Sequence, residues 1–154
     1  MRHELRRKDR GICDDAAMDL LLRGEYGVLS TLSPDGLPYG IPLSYCLIGN
    51  ALYFHSAIEG RKVDNITSDK RVSFCVVGGT EILPAKFSTK YESVIVSGLA
   101  EEVFALEKKC ALRGFVTKYS SQYIKEGEKY INSDIDKARV FKIIINEMSG
   151  KARK

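Results

Sequence analysis

Two turn signals within residues 26–57 constrain this chain more than any other feature of it. The segment reads YGVLSTLSPDGLPYGIPLSYCLIGNALYFHSA. Ser33, Pro34, Asp35 and Gly36 form the first signal: proline presets φ at the second turn position and glycine ends the turn. Gly49 and Asn50 form the second, a two-residue connection suited to a β-hairpin. Apolar residues flank both. Val28, Leu29 and Leu32 belong to a first strand, residues 38–48 to a second and 51–57 to a third, in meander order.

The rest of the chain adds alternating and helical periods in turn. Asp14 or Asp15 can cap a helix that runs through Ala16, Ala17, Leu20 and Leu21 to about Gly24. Residues 59–68 predict a short helix with Val63 and Ile66 facing inward. RVSFCVVG, residues 71–78, predicts a fourth strand, and residues 91–103 a long fifth. Leu112, Phe115, Val116 and Tyr119 recur at helical spacing, which predicts a helix over 105–118. A weaker helical pattern covers 121–130, and ARVFKIIIN, residues 138–146, predicts a sixth strand. Strands joined mainly by hairpins, with the longer helices grouped late, exclude a parallel βαβ sheet. They argue for an α+β protein, mainly β, built on a six-stranded antiparallel barrel with flanking helices. With no internal repeat, low-complexity stretch or linker, residues 1–154 read as one domain.

Composition narrows the classes. At 154 residues and 44% hydrophobic, the chain can bury a core without staples. The basic opening MRHELRRKDRG is not followed by an apolar segment of signal-peptide type, and no apolar run reaches membrane-spanning length. The expected address is cytoplasmic, with no membrane partner. The net charge of +4 is uneven: residues 2–10 and 151–154 carry +3 each, which leaves the body between them at −2. These basic ends read as solubilising tails. No nucleic-acid-binding signature accompanies them, so nucleic acid is not an expected partner. Cys13, Cys46, Cys75 and Cys110 form no CxxC pair, and with only His3 and His55 beside them no metal site is expected. Cys46 and Cys75 read as core filler.

The stretch LYFHSAIEGRK, residues 52–62, carries the chemistry. A strand ends and a helix begins, and helix N-termini present free N–H groups to anions. Ser56 can donate a hydroxyl hydrogen bond, Arg61 can grip a phosphate in bidentate fashion, and Lys62 adds a point charge. Together they describe a phosphate pocket at the edge of a barrel; the bland alternative is a solvated cation pair beside a partly buried histidine. His55 itself could donate to a phosphate or a substrate oxygen, ligate a haem iron, or sit in the core bonded to a backbone carbonyl.

The order of these segments, PYGIPLSY, then YFHSA, then EGRK, then RVSFCVV, resembles the flavin-binding split-barrel superfamily, of which pyridoxamine 5′-phosphate oxidase is a member. The opening RRKDRGICD and the Ser149, Gly150, Lys151 ending resemble its Nim-type, nitroimidazole-resistance-related subgroup. The resemblance implies a split barrel that binds FMN between the subunits of a homodimer. It implies an FMN-dependent oxidoreductase that passes electrons from a reduced nicotinamide to a small electron-poor substrate, such as a nitro compound. The alternatives are a non-catalytic FMN or haem carrier or sensor, with haem held through His55, and a pyridoxamine 5′-phosphate oxidase proper. The oxidase carries a longer C-terminal substrate segment than the residues after the sixth strand here.

By the same resemblance, Ile41, Pro42, Leu43 and Ser44 run along the flavin ring and offer backbone groups to it. His55 and Ser56 end the next strand beside the cofactor, and Arg61 and Lys62 hold its phosphate. Ser93 matches the position that reaches the flavin from the partner subunit, where the oxidase has a glutamine. His55 is the candidate catalytic residue; the oxidase has an aromatic there, and the Nim-type subgroup a histidine.

Overall fold

The chain breaks its second predicted strand at Ser44 and Tyr45, and that break organises the sheet. The computed structural model describes residues 5–154. In chain order the elements are β1 (Gly11–Ile12), α1 (Asp14–Arg23), β2 (Gly27–Leu32), β3 (Pro38–Leu43), β4 (Cys46–Ile48), β5 (Ala51–Ser56) and α2 (Arg61–Ser68). They continue with β6 (Arg71–Val77), β7 (Glu81–Leu83), β8 (Ser88–Val103), α3 (Ala105–Tyr119), α4 (Ile124–Asp134) and β9 (Arg139–Arg153). The antiparallel sheet follows the order β3-β2-β6-β8-β9-β5-β4, with β1 added to β9 and β7 to β8. Its two ends, β3 and β4, are consecutive in the chain. The sheet therefore curls until its ends are joined covalently and not by a hydrogen-bonded ladder, which is a split barrel.

Tyr45 explains the break. Its side chain is fully buried. Its Oη donates to the Leu21 carbonyl at 2.6 Å, and its backbone N donates to Tyr119 Oη at 3.1 Å. A side chain thus serves a backbone group that a ladder would otherwise serve. The remaining differences from the six predicted strands have similar local causes. β1 and β7 are too short to show a period. β9 extends to Arg153, so the cations at 151 and 153 stand in the sheet and not on a loose tail: Lys151 pairs with Gly11 and with Ser93. Of the basic N-terminal stretch, residues 1–4, His3 among them, lie outside the described residues. The N-cap residue of α1 is Cys13, whose side chain makes no capping bond; Asp14 and Asp15 instead lie in the first turn, where carboxylates favour the helix dipole. Both turn signals form as expected: Gly36 N donates to Ser33 O at 2.8 Å, and Ile48 pairs with Ala51 across Gly49 and Asn50.

Alternation along the strands divides the molecule into an interior and two outer faces. Leu29, Leu52, Phe54, Phe74, Val94, Val96 and Ile143 point inward, and α1 adds Ala17, Leu20 and Leu21 while α2 adds Val63 and Ile66. On the outside, α3 covers β5 and β9, where Tyr53, Ala111, Phe115 and Val140 make a second, smaller cluster. The other outer face, over β2, β6 and β8, carries no helix among the described residues. Val28, Cys75 and Ile95 are neighbours across it, and Ser30, Ser73 and Ser97 form the adjoining row. Cys46 is buried as expected, whereas Cys75 lies half-buried on this open face and not in the core. Among the described residues no helix is long and apolar enough to cross a membrane.

Candidate functional site

The start of α2 is placed against β3 by its own side chains. Gly60, at φ +139°, turns the chain into the helix, and its carbonyl accepts from Val63 N and Asp64 N at 2.8 and 3.1 Å. No side chain caps this end. Arg61 Nη2 donates to Ser33 Oγ at 3.1 Å, and its guanidinium carbon stands 4.4 Å from the centre of the Tyr39 ring. One turn further on, the buried Asn65 donates through Nδ2 to Thr31 Oγ1 at 2.9 Å. The helix is thereby tied to β2 and β3, across some thirty residues of chain.

Lys62 is half-buried, with Nζ 5.9 Å from the centre of the Phe54 ring. Burial pushes its pKa down, because a cation loses hydration there. Neither Arg61 nor Lys62 has a carboxylate partner among the described residues. Two unneutralised cations beside an uncapped helix start form a positive site that an anion would complete.

The free edge of β3 lies next to this site. Ile41 and Leu43 pack against the barrel core. Pro42 and Pro38 have no N–H to give, so the ladder accommodates them where the nitrogen faces away from β2. Gly40 shares their parity. The open edge therefore offers the Gly40 amide and the carbonyls of Pro38, Gly40 and Pro42. Ser44 lies past the end of the strand, in the break, with Lys118 and Tyr119 along a cavity of about 670 Å³.

His55 and Ser56 do not act on one face. As neighbours in a strand they point oppositely: Ser56 is buried toward the barrel, and His55 faces out under α3. The His55 ring meets Phe115 edge-on, 4.9 Å between centres at 72°. Neither ring nitrogen makes a hydrogen bond among the described residues, so this is not a core histidine bonded to a carbonyl. Burial, and secondarily Lys62, lowers its pKa. The ring borders a cavity of about 260 Å³ between β5, α3 and α4, whose walls include Leu112, Val116, Ile131 and Ile135.

Ser93 stands apart, on the outer face of β8 between Val77 and Lys151. Three further residues escaped sequence reasoning: Tyr39 and Ser33, which hold Arg61, and Asn65, which holds α2. Only Ser33 carried a sequence signal, as a turn residue. Lys118 was also missed. Its Nζ is buried without a hydrogen-bond partner among the described residues and lies 3.8 Å from the centre of the Tyr45 ring.

An open antiparallel barrel with a cationic helix start at its seam defines a class of cofactor-binding split barrels. The comparisons narrow it. Residues 14–152 match the family model described as pyridoxamine 5′-phosphate oxidase, and the chain belongs to that family. No curated protein matches it by sequence. Among solved structures it is similar to a proposed 5-nitroimidazole antibiotic resistance protein from Bacteroides thetaiotaomicron, 20% identical, covering 98% of this chain and 96% of that one at TM-score 0.79. It is similar to an FAD-binding protein from Mesorhizobium loti, 23% identical, covering 94% and 98% at TM-score 0.67. It is also similar to an FAD and heme binding protein from Mycobacterium smegmatis, 16% identical, covering 92% and 72% at TM-score 0.69. At these identities the likeness concerns the fold.

Proposed function

We propose that the protein is a homodimeric, FMN-dependent oxidoreductase that passes electrons from a reduced nicotinamide to a small electron-poor acceptor such as a nitro compound. The observation that carries this reading is the pair Arg61 and Lys62, unneutralised at the uncapped start of α2, with Arg61 held against Tyr39 of β3 and Lys62 beside Phe54 of β5. The donor set suits FMN. Guanidinium, ammonium and free amides match a terminal phosphate, while the edge of β3 supplies amide and carbonyl groups for a flat heterocycle. Flavin, when bound, supplies the electron transfer. The chain's own part is to bind the phosphate, orient the ring along Ile41, Pro42 and Leu43, and shield it from water. The resistance protein of similar fold favours a nitro compound as acceptor.

The helix-free outer face supports the dimer. Val28, Val77 and Ile95 are exposed there at the centre of a surface of small residues, flanked by Ser30, Ser73 and Ser97. A second copy seated on it would bring Ser93 against its partner's flavin. This apolar centre with a polar surround is the composition of an interface.

A second reading, haem on His55, draws on the unbonded ring nitrogens and on the M. smegmatis neighbour. The cavity beside the ring works against it. At about 260 Å³ it falls short of the roughly 300 Å³ at which sites for drug-sized ligands begin, and α4 would have to lift for a haem to enter.

The test is an absorbance spectrum of the purified protein with and without added FMN, followed by titration of Arg61→Ala with Lys62→Ala. Bands near roughly 370 and 450 nm are expected. The double substitution is expected to weaken FMN by about 3 kcal/mol, the scale of lost charge-assisted bonds. Unchanged affinity would remove the phosphate assignment, and a Soret band near roughly 410 nm would favour haem.

A further inference from the structure

The geometry points to a further ligand site, separate from the flavin pocket: the cavity between the end of α1, the break after β3 and the end of α3 takes a small monocarboxylate with an apolar body, its carboxylate on the ammonium of Lys118. At about 670 Å³ the cavity falls within the range of small-molecule sites. Lys118 is on its wall, and its Nζ is cut off from solvent with no hydrogen-bond partner among the described residues. The ammonium rests on the Tyr45 ring, 3.8 Å from its centre, with the centre of the Tyr119 ring at 5.3 Å. Aromatic faces attract a cation, but they do not accept its N–H groups as an oxygen does. A buried ammonium in that state has lost its hydration without a replacement.

Among the described residues nothing supplies its counter-charge. Cys46 is the titratable group whose field acts on Lys118, and burial pushes that thiol up to about 12. Burial likewise raises the Tyr45 and Tyr119 hydroxyls, so all three stay neutral near pH 7. Arg23, also on the wall, is already neutralised by Asp19 at 2.9 Å and Glu92 at 2.7 Å. Glu25 shares the wall but is exposed to water, and it takes no hydrogen bond from Lys118. The charge left without a partner is therefore a single buried cation, which calls for a monoanion. Leu22 and Tyr26 line the same cavity while 60% and 59% exposed, and they offer apolar surface to an alkyl body. The walls are held in place. Tyr119 Oη accepts from Tyr45 N at 3.1 Å and donates to the Glu25 and Tyr45 carbonyls, at 2.6 and 2.8 Å. Only the flexible stem of lysine has to turn for Nζ to meet a ligand oxygen. Ser44 is the one wall residue shared with the flavin assignment, so the inference does not depend on flavin.

Isovalerate and its neutral isostere isovaleramide test it, by NMR of the full-length chain at the Leu22 methyls and the Lys118 ε-methylene, with and without FMN. Isovalerate is expected to give saturable shifts at both positions. Isovaleramide is expected to bind at least about tenfold more weakly, the scale of a hydrogen bond to a charged group. Lys118→Met keeps the stem and removes the charge, and it is expected to abolish that preference at the Leu22 methyls. Leu22→Asp, at an exposed position, is expected to weaken isovalerate more than isovaleramide, read at the Lys118 ε-methylene. Saturating FMN is expected to leave the isovalerate shifts in place. Absence of saturable shifts up to roughly 10 mM probe would overturn the proposal. So would equal affinity for the two probes, or a preference that survives Lys118→Met. Loss of the isovalerate shifts on adding FMN would give the cavity to the flavin and overturn it as well.

Discussion

Thr31→Val separates the docking of α2 from its charge. Thr31 and Asn65 are 3% and 1% exposed, and Asn65 Nδ2 donates to Thr31 Oγ1 at 2.9 Å. Valine keeps the shape but removes the acceptor, which strands a buried amide N–H. That penalty runs to about 1–3 kcal/mol. The second bond lost, from Thr31 Oγ1 to the Tyr39 carbonyl, is long at 3.4 Å and adds little. The expected destabilisation is therefore about 2 kcal/mol, a large share of the roughly 5–15 kcal/mol of an ordinary domain. Asn65→Leu removes the donor and leaves the threonine hydroxyl free to bond Tyr39, so it should cost less. The double variant replaces both polar partners by apolar ones and should be more stable than Thr31→Val alone. Urea unfolding of the four proteins closes the cycle, with an expected coupling of about 1–2 kcal/mol. Strictly additive losses, with coupling below about 0.5 kcal/mol, would refute the view that this pair anchors the helix. FMN titration adds a functional arm: the double variant should bind FMN more weakly than wild type despite its recovered stability, because Arg61 and Lys62 ride on the same helix.

Gly98→Ala should destabilise the protein by about 3 kcal/mol or more, the upper end for overpacking. Gly98 sits at the register shift in β8, and an added Cβ would lie 2.0 Å from the Ile144 carbonyl oxygen, a backbone atom that cannot swing away. A loss under about 1 kcal/mol in urea would mean that β8 and β9 separate more easily than their pairing implies. His55 predicts a pH effect. Its folded pKa lies below the ordinary 6.5, so the unfolded chain binds the proton more readily. Stability should be full above pH 6.5 and fall as pH drops from there toward the folded value. His55→Gln should flatten that limb, and an unchanged pH slope would refute the assignment. An anion bound beside Lys62 should raise the His55 pKa, which imidazole NMR with and without FMN can read.

What the sequence displayed and what it hid differ by the reach of the contacts involved. The two turns of the meander are local, and both form where proline and glycine placed them. The cation pair was legible because a strand end, a glycine and two basic residues follow one another within a few positions. The break at Ser44 and Tyr45 was not legible. Alternation runs straight through it, and the group that replaces the ladder there is Tyr119, 74 residues away. The opposite facing of His55 and Ser56 follows from the period of a strand once the strand is known to continue through both. The holding of Arg61 by Ser33 and Tyr39 follows from nothing local. This pattern carries a consequence for the site. Residue type alone makes Arg61 and Lys62 cations, but their position comes from the long-range bonds of α2 to β2 and β3. Substitutions that undock α2 and leave both cations in place should therefore read, in a flavin titration, much like loss of the cations themselves.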